Sequence, residues 1–266
     1  MNIFFWLTSS ILFVLFLTPS AHANIVVLGD LTRDYKMKPG QTYEAMIELE
    51  NRDSRLKKVQ IYQTDYRYLA SGDNFFPPAG TYKRSNAAWI TYSPKIVSVP
   101  PGHRSQIKYL IRAPKDQTKS GTYWSMLMVQ DVRELPSDDT GPNTLQLIPT
   151  FRYGVQIITQ ISNTGKIALE FTSVNVVNRK SKRFLVIDLE NKGTRHAKSD
   201  LWVEVFNNKG EKVGRFITDP GRILPGCSIR REIDISSLPK GRYTSLVISD
   251  CGHKDVFGLE LKLVLQ

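Results

Sequence analysis

From Ile25 onward the chain alternates apolar and polar positions with a period of two, and no stretch sustains the spacing of an amphipathic helix. Candidate strands are TYEAMIELEN (42–51), KKVQIYQTDYRYL (57–69), SQIKYLIRAP (105–114), GTYWSMLMVQD (121–131) and TFRYGVQIITQI (150–161). KPGQ, PPAG, PPGH and PSDDTGPN stand between them, and their Pro, Gly and Asn residues set turn conformations. The pattern predicts an all-β protein of the sandwich type.

The order of signals occurs twice. IELEN at 47–51 returns as IDLEN at 187–191, VPPG at 99–102 as ILPG at 223–226, and GTYWS at 121–125 as GRYTS at 241–245. Two β-sandwich domains of related plan in tandem, the first with longer loops, account for this better than one large barrel; chance recurrence of turn residues is the competing explanation. A boundary at ISNTGK (161–166) gives domains 24–163 and 164–266.

The stretch SGTYWSMLMV (120–129) raises a question of cover. Side chains alternate across a strand, so Tyr123, Ser125, Leu127 and Val129 share one face while Thr122, Trp124, Met126 and Met128 share the other. One set enters the sandwich core. The other is covered either by the rest of the chain or by a partner, and the sequence leaves both readings open.

Residues 1–23 are an apolar run ending in Ala21, His22 and Ala23, the small-x-small pattern of a removable signal peptide; an uncleaved anchor is the alternative. No later segment is apolar enough to span a bilayer, so a periplasmic, secreted chain is expected, with no stable membrane span after cleavage. The formal charge of +11 suggests an anionic contact such as an envelope polymer. Its basic residues are scattered (Arg52, Arg55, Lys57, Lys58; Arg179, Lys180, Lys182, Arg183) without an RNA-binding aromatic motif, which argues against nucleic acid. Solvated strand faces are the plain reading of each cluster.

Only Cys227 and Cys251 are present. In an oxidising compartment a disulfide between them is expected, two unpaired thiols being the alternative, and neither supplies a structural zinc site. His103, His196 and His253 are not spaced as metal ligands, and no nucleophile elbow or phosphate-cradling loop occurs. The acidic loop of Glu134, Asp138 and Asp139 has too few oxygen ligands for calcium. No catalytic residue, cofactor or metal is therefore expected.

KPGQTYEAMIELEN (38–51), SNAAWITYSPKIVSVPPGHRSQIKYLIRAP (85–114), GTYWSMLMV and LQLIPTFRYGVQII (145–158) together resemble the first domain of the PapD-type periplasmic pilus chaperones. The resemblance implies a two-domain boomerang whose partner is a secreted pilus or fimbrial subunit, bound by β-strand addition. The matching segment is LQLIPTFRYGV, with Leu145 and Leu147 on one face, Phe151 and Tyr153 further along it, and Pro149 interrupting the ladder. In the family an Arg on the first strand and a Lys on this last one grip the subunit's terminal carboxylate. Arg33 falls at the Arg position; the Lys has no match, Gly154 or Gln156 standing there, and Arg152 is the nearest cation. The partner-binding set expected is Arg33, Leu145, Leu147, Phe151, Arg152 and Tyr153, with Trp124 and Met126 on the neighbouring strand. ILPGCSIRREIDISSLPKGRYTSLVIS (223–249) resembles the immunoglobulin-like modules of bacterial surface proteins, so the alternative is an envelope-binding module without chaperone activity.

Overall fold

The computed structural model describes residues 25–132, 151–252 and 255–265. The segment up to residue 24, with the expected signal peptide, lies outside them, as do Leu145, Leu147, the acidic loop and His253.

Among the described residues, eleven strands form the first half: β1 (Ile25–Leu28), β2 (Thr32–Met37), β3 (Thr42–Asn51), β4 (Lys57–Thr64), β5 (Arg67–Tyr68), β6 (Asn74–Phe75), β7 (Ile90–Ser93), β8 (Ile96–Val99), β9 (Arg104–Arg112), β10 (Gly121–Val132) and β11 (Arg152–Ile161). The second half holds β12 (Leu169–Arg179), β13 (Lys182–Asn191), β14 (Ala197–Phe206), β15 (Lys212–Ile217), β16 (Gly221–Ile223), β17 (Ser228–Asp234), β18 (Gly241–Asp250) and β19 (Val256–Leu265). The chain is all-β, two immunoglobulin-like sandwiches in tandem. The first packs sheet β1-β3-β9-β7 on β2-β11-β10-β4-β8; the second packs β12-β13-β17 on β15-β14-β18-β19, with β16 added beside β14. Each encloses its own core, one built on Ile47, Leu49, Ile107, Leu127 and Ile157, the other on Leu185, Ile187, Val203, Val205 and Val247.

The predicted strand at 57–69 breaks in two. Asp65, almost fully buried, accepts hydrogen bonds from the Gly80 N–H (3.1 Å), the Tyr82 N–H (2.7 Å) and the Ser85 hydroxyl (2.5 Å), which turns the chain out of the sheet after Thr64. The chain then runs into the short hairpin β5–β6.

The expected Cys227–Cys251 disulfide is absent; both residues are free thiols. Their surroundings separate them. Cys227 packs with Trp124, Ile158 and Leu224 where the two halves meet, whereas Cys251 lies against the core of the second sandwich. Burial pushes both thiols up to about 11, so neither carries a thiolate at neutral pH.

Four residues of the basic clusters, Arg52, Lys57, Arg179 and Lys182, pair with carboxylates. Arg179 grips Glu232 through two bonds of 2.7 and 2.8 Å, Lys182 reaches Asp234 at 3.0 Å, and Lys57 reaches Asp53 at 2.9 Å.

Candidate functional site: the β11 edge and the cleft beside it

β11 pairs antiparallel with β10 along its whole length, Arg152 opposite Gln130 and Ile161 opposite Gly121. On its other side β2 runs parallel to it, and that pairing begins only at Gln156, opposite Thr32. Among the described residues, no strand covers the outer edge of β11 over Arg152–Val155. The Gln156 N–H donates outward to the Leu31 carbonyl (2.7 Å). Backbone groups of alternate residues point the same way along a strand, so the N–H and C=O of Gly154 and Arg152 also face outward. Two residues thus present an unsatisfied ladder to a further strand.

Where the two sandwiches meet, the second face of β10 finds most of its cover. The Thr122 N–H donates to Thr194 O (2.8 Å), and the Thr122 hydroxyl accepts from the His196 N–H (2.9 Å) while donating to the Gln160 amide oxygen (2.6 Å). Trp124 donates its indole N–H to Tyr66 O (2.6 Å) and packs on Ile158, Leu224 and Cys227. The β5–β6 hairpin crosses to the second sandwich: Arg67 Nε donates to Gly226 O (3.1 Å), the Ala70 N–H to Ser228 Oγ (2.9 Å), and the Tyr68 hydroxyl donates to Arg222 O (2.9 Å) while accepting from the Leu224 N–H (3.1 Å). Every residue from Gly121 to Val129 is buried, Tyr123, Leu127 and Val129 in the first core. The second sandwich and the hairpin therefore supply the cover that Thr122 and Trp124 require.

Beside this joint lies a cleft of about 430 Å³ lined by Thr32, Tyr66, Tyr68, Gln156, Lys198 and Arg222, among others. Arg222 is bound by Asp34, and Lys198 stands 3.6 Å from the same carboxylate. One terminal nitrogen of Arg222 is buried and has no hydrogen-bond partner among the described residues. Desolvation pushes the Tyr68 and Tyr66 phenols upward, keeping both neutral as donors. The cleft therefore offers an oxyanion a partly desolvated guanidinium and an ammonium, with Asp34 in competition for both.

The sequence-predicted residues are dispersed by this geometry. Arg33 turns away from the cleft, its guanidinium donating to Met46 O (2.7 Å) and Asp30 O (3.2 Å) at the rim of the first sandwich. Arg152 lies over the Phe76 ring (5.4 Å to the centroid) and reaches the Tyr62 hydroxyl at 3.3 Å, so the two arginines do not converge. Phe151 is exposed, Tyr153 packs on the first core, and both line a small cavity with Ile25, Val129 and Asp131. Trp124 belongs to the joint, and Met126 is buried on the sheet face beside Gly154.

Asp34, Lys198, Arg222 and the tyrosine pair are not among the sequence-predicted residues. One signal was available for Asp34: with Met37 in the core, the period of two puts Tyr35 and Arg33 on the core side and Asp34 on the other. Lys198 and Arg222 carry no comparable signal, because a contact between halves has no local pattern.

No family model matches the sequence, and no curated protein matches it. The structure is similar to that of a chaperone–tip adhesin complex in CFA/I fimbriae biogenesis (TM-score 0.49, 14% identity, covering 92% of this chain and 100% of the other). It is also similar to the CsuC–CsuE chaperone–tip adhesion subunit pre-assembly complex of Acinetobacter baumannii (TM-score 0.43, 14% identity, 90% and 98% covered) and to the class 5 fimbriae chaperone CfaA (TM-score 0.42, 14% identity, 91% and 100% covered). Among the described residues no helix is long and apolar enough to cross a membrane, and no group of three or more His, Cys, Asp and Glu could hold a metal ion.

Proposed function

We propose that the mature chain, residues 24–266 divided at 163/164, is a periplasmic chaperone that binds secreted pilus or fimbrial subunits by β-strand addition and catalyses no reaction. The observation that carries this is the outer edge of β11 at Arg152–Val155, whose neighbour β2 stops one residue short of it. An extended segment of a subunit adds there, with Phe151, Arg152 and Tyr153 at the start of the contact and Leu145 and Leu147 continuing it. The partner's terminal carboxylate, where the segment reaches the cleft, takes Arg222 and Lys198 in exchange for Asp34.

The test is affinity capture from native periplasmic extract with the mature protein and its Arg152→Pro, Arg222→Gln and Arg33→Gln variants. Proline at 152 removes an outward N–H that the protein's own sheet does not use. The expected result is one small secreted β-rich protein at near-equal stoichiometry, retention falling about tenfold for Arg152→Pro and for Arg222→Gln but not for Arg33→Gln. Undiminished capture by Arg152→Pro would rule out addition at this edge; loss with Arg33→Gln alone would return the anchor to Arg33.

A further inference from the structure

β19 is the outer strand of its sheet, paired with β18 on one side and, among the described residues, with no strand on the other. Hydrogen bonding decides which of its groups are left over. The Cys251 N–H donates to Asp255 O where the two strands join (2.9 Å), and backbone groups alternate along a strand, so the odd-numbered residues of β19 bond to β18. The N–H and C=O of Val256, Gly258, Glu260, Lys262 and Val264 therefore point out of the sheet. The same five residues are exposed, whereas Phe257, Leu259 and Leu261 pack half-buried on the second core and Leu263 and Leu265 belong to it.

Edge strands usually carry a device that stops another strand from adding. β12 has a register break between Phe171 and Ser173, and the ladder of β15 breaks between Val205 and Phe206 of β14. β19 keeps an unbroken ladder over its 10 residues and contains no proline. Its exposed face carries two opposite charges two positions apart, Glu260 and Lys262. Glu204 on that face is taken by Lys212 at 2.7 Å, but among the described residues no ion pair engages Glu260 or Lys262. A lone lysine would deter an added strand; a lysine with a glutamate two places before it suits a second copy of itself.

Two copies related by a two-fold axis would meet antiparallel along this edge. With the axis at Leu261, Glu260 faces Lys262 of the second copy and Lys262 faces its Glu260. That register sets outward backbone groups against outward groups, for about eight hydrogen bonds between copies. It also opposes Phe257 to Leu265 and Leu259 to Leu263, so β19 is used almost from end to end and its half-buried leucines gain apolar neighbours. Val264 comes opposite Gly258, where a Cβ would touch nothing nearer than 3.8 Å. Moving the axis to Glu260 or to Lys262 sets like charges against each other. Two copies of a chain of net charge +11 repel at long range, so a contact between them needs such local compensation. We propose that the second sandwich pairs with a second copy of this chain through β19, antiparallel and in the register that joins Glu260 to Lys262. This edge is separate from Arg152–Val155 in the first sandwich, and the proposal does not depend on strand addition there.

The test is sedimentation velocity of the mature protein, of Glu260→Lys, of Lys262→Glu, and of an equimolar mixture of the two variants. Both positions are exposed, so each variant should keep the parental circular dichroism spectrum. The parent should show a monomer–dimer equilibrium at micromolar concentration. Each variant alone sets like charges opposite each other on both sides of the axis, and its self-association should be about tenfold weaker. In the mixture a Glu260→Lys copy meets a Lys262→Glu copy with every charge matched, and the parental dimer should return. A parent that stays monomeric, dimerisation unchanged in both variants, or a mixture as weak as either variant alone overturns the proposal. Capture of a subunit at Arg152–Val155 is read separately and stands or falls by itself.

Discussion

Asn51 and Asn191 make the same three side-chain hydrogen bonds, one set in each sandwich. Asn51 donates to Val99 O and Arg55 O (2.8 Å each) and accepts from the Asp53 N–H (2.9 Å); Asn191 donates to Ile223 O (2.9 Å) and Arg195 O (2.8 Å) and accepts from the Gly193 N–H (2.9 Å). Their backbones match as well: Gly102 and Gly226 donate to the two asparagine carbonyls, and the asparagine N–H groups donate to His103 O and Cys227 O. The shared sequence Glu-Asn with a later Pro-Gly is thus a device that ties the end of one strand to two turns.

Both asparagines are fully buried, so removing either side chain strands carbonyl groups that water cannot reach. Asn51→Ala and Asn191→Ala should each cost about 3 kcal/mol. Calorimetry should show Asn51→Ala lowering the transition of the first sandwich more than that of the second, and Asn191→Ala the reverse. A loss below about 0.5 kcal/mol, the range of ordinary surface substitutions, would mean that the turns hold without the amide.

His196 makes the joint sensitive to acid. Its ring is held down to about 4, chiefly by burial against Thr122, with Arg222, Lys198 and Arg195 adding to the effect and Asp34 opposing it. The folded pKa lies below the unfolded value of 6.5, so the unfolded chain takes up the proton first. Stability is therefore intact above about pH 6.5 and falls as pH drops toward 4, by about 3 kcal/mol at most. Urea titrations at several pH values should show a steeper acid loss in the parent than in His196→Gln. Parallel curves for the two proteins would mean that the carboxylates alone set the acid response.

The two thiols should resist a thiol reagent in the folded protein and both react once it is unfolded, since each sits in apolar packing with its proton held to about pH 11. The intact mass of protein purified without reductant should equal that of the reduced form. A mass lower by two hydrogens would show a disulfide and require Cys227 to leave the cluster it forms with Trp124.

Much of the fold was legible because strand alternation and turn residues act locally. The period of two marked β3, β9, β10 and β11, and the repeated Glu-Asn, Pro-Gly and Gly-x-Tyr signals marked two sandwiches of one plan. The alternation along TYWSMLMV also sorted its residues correctly into two faces, Leu127 and Val129 into the core and Trp124 outside it. The cover of that second face was not legible, since Leu224, Cys227 and Tyr68 are remote from Trp124 in the chain and become its neighbours only when the sandwiches dock. The same holds for the cleft. A strand sequence states which residues share a face; which of two adjacent residues, Arg33 or Asp34, meets the second sandwich is decided by how that sheet packs. Lys198 and Arg222 enter the site because β14 and β16 bring them to Asp34, and cysteine count alone could not foresee that Cys227 and Cys251 would pack in separate clusters. Local patterning determines the strands and their faces, and long-range packing determines which faces meet, because the free energy of docking depends on surfaces that no single segment encodes.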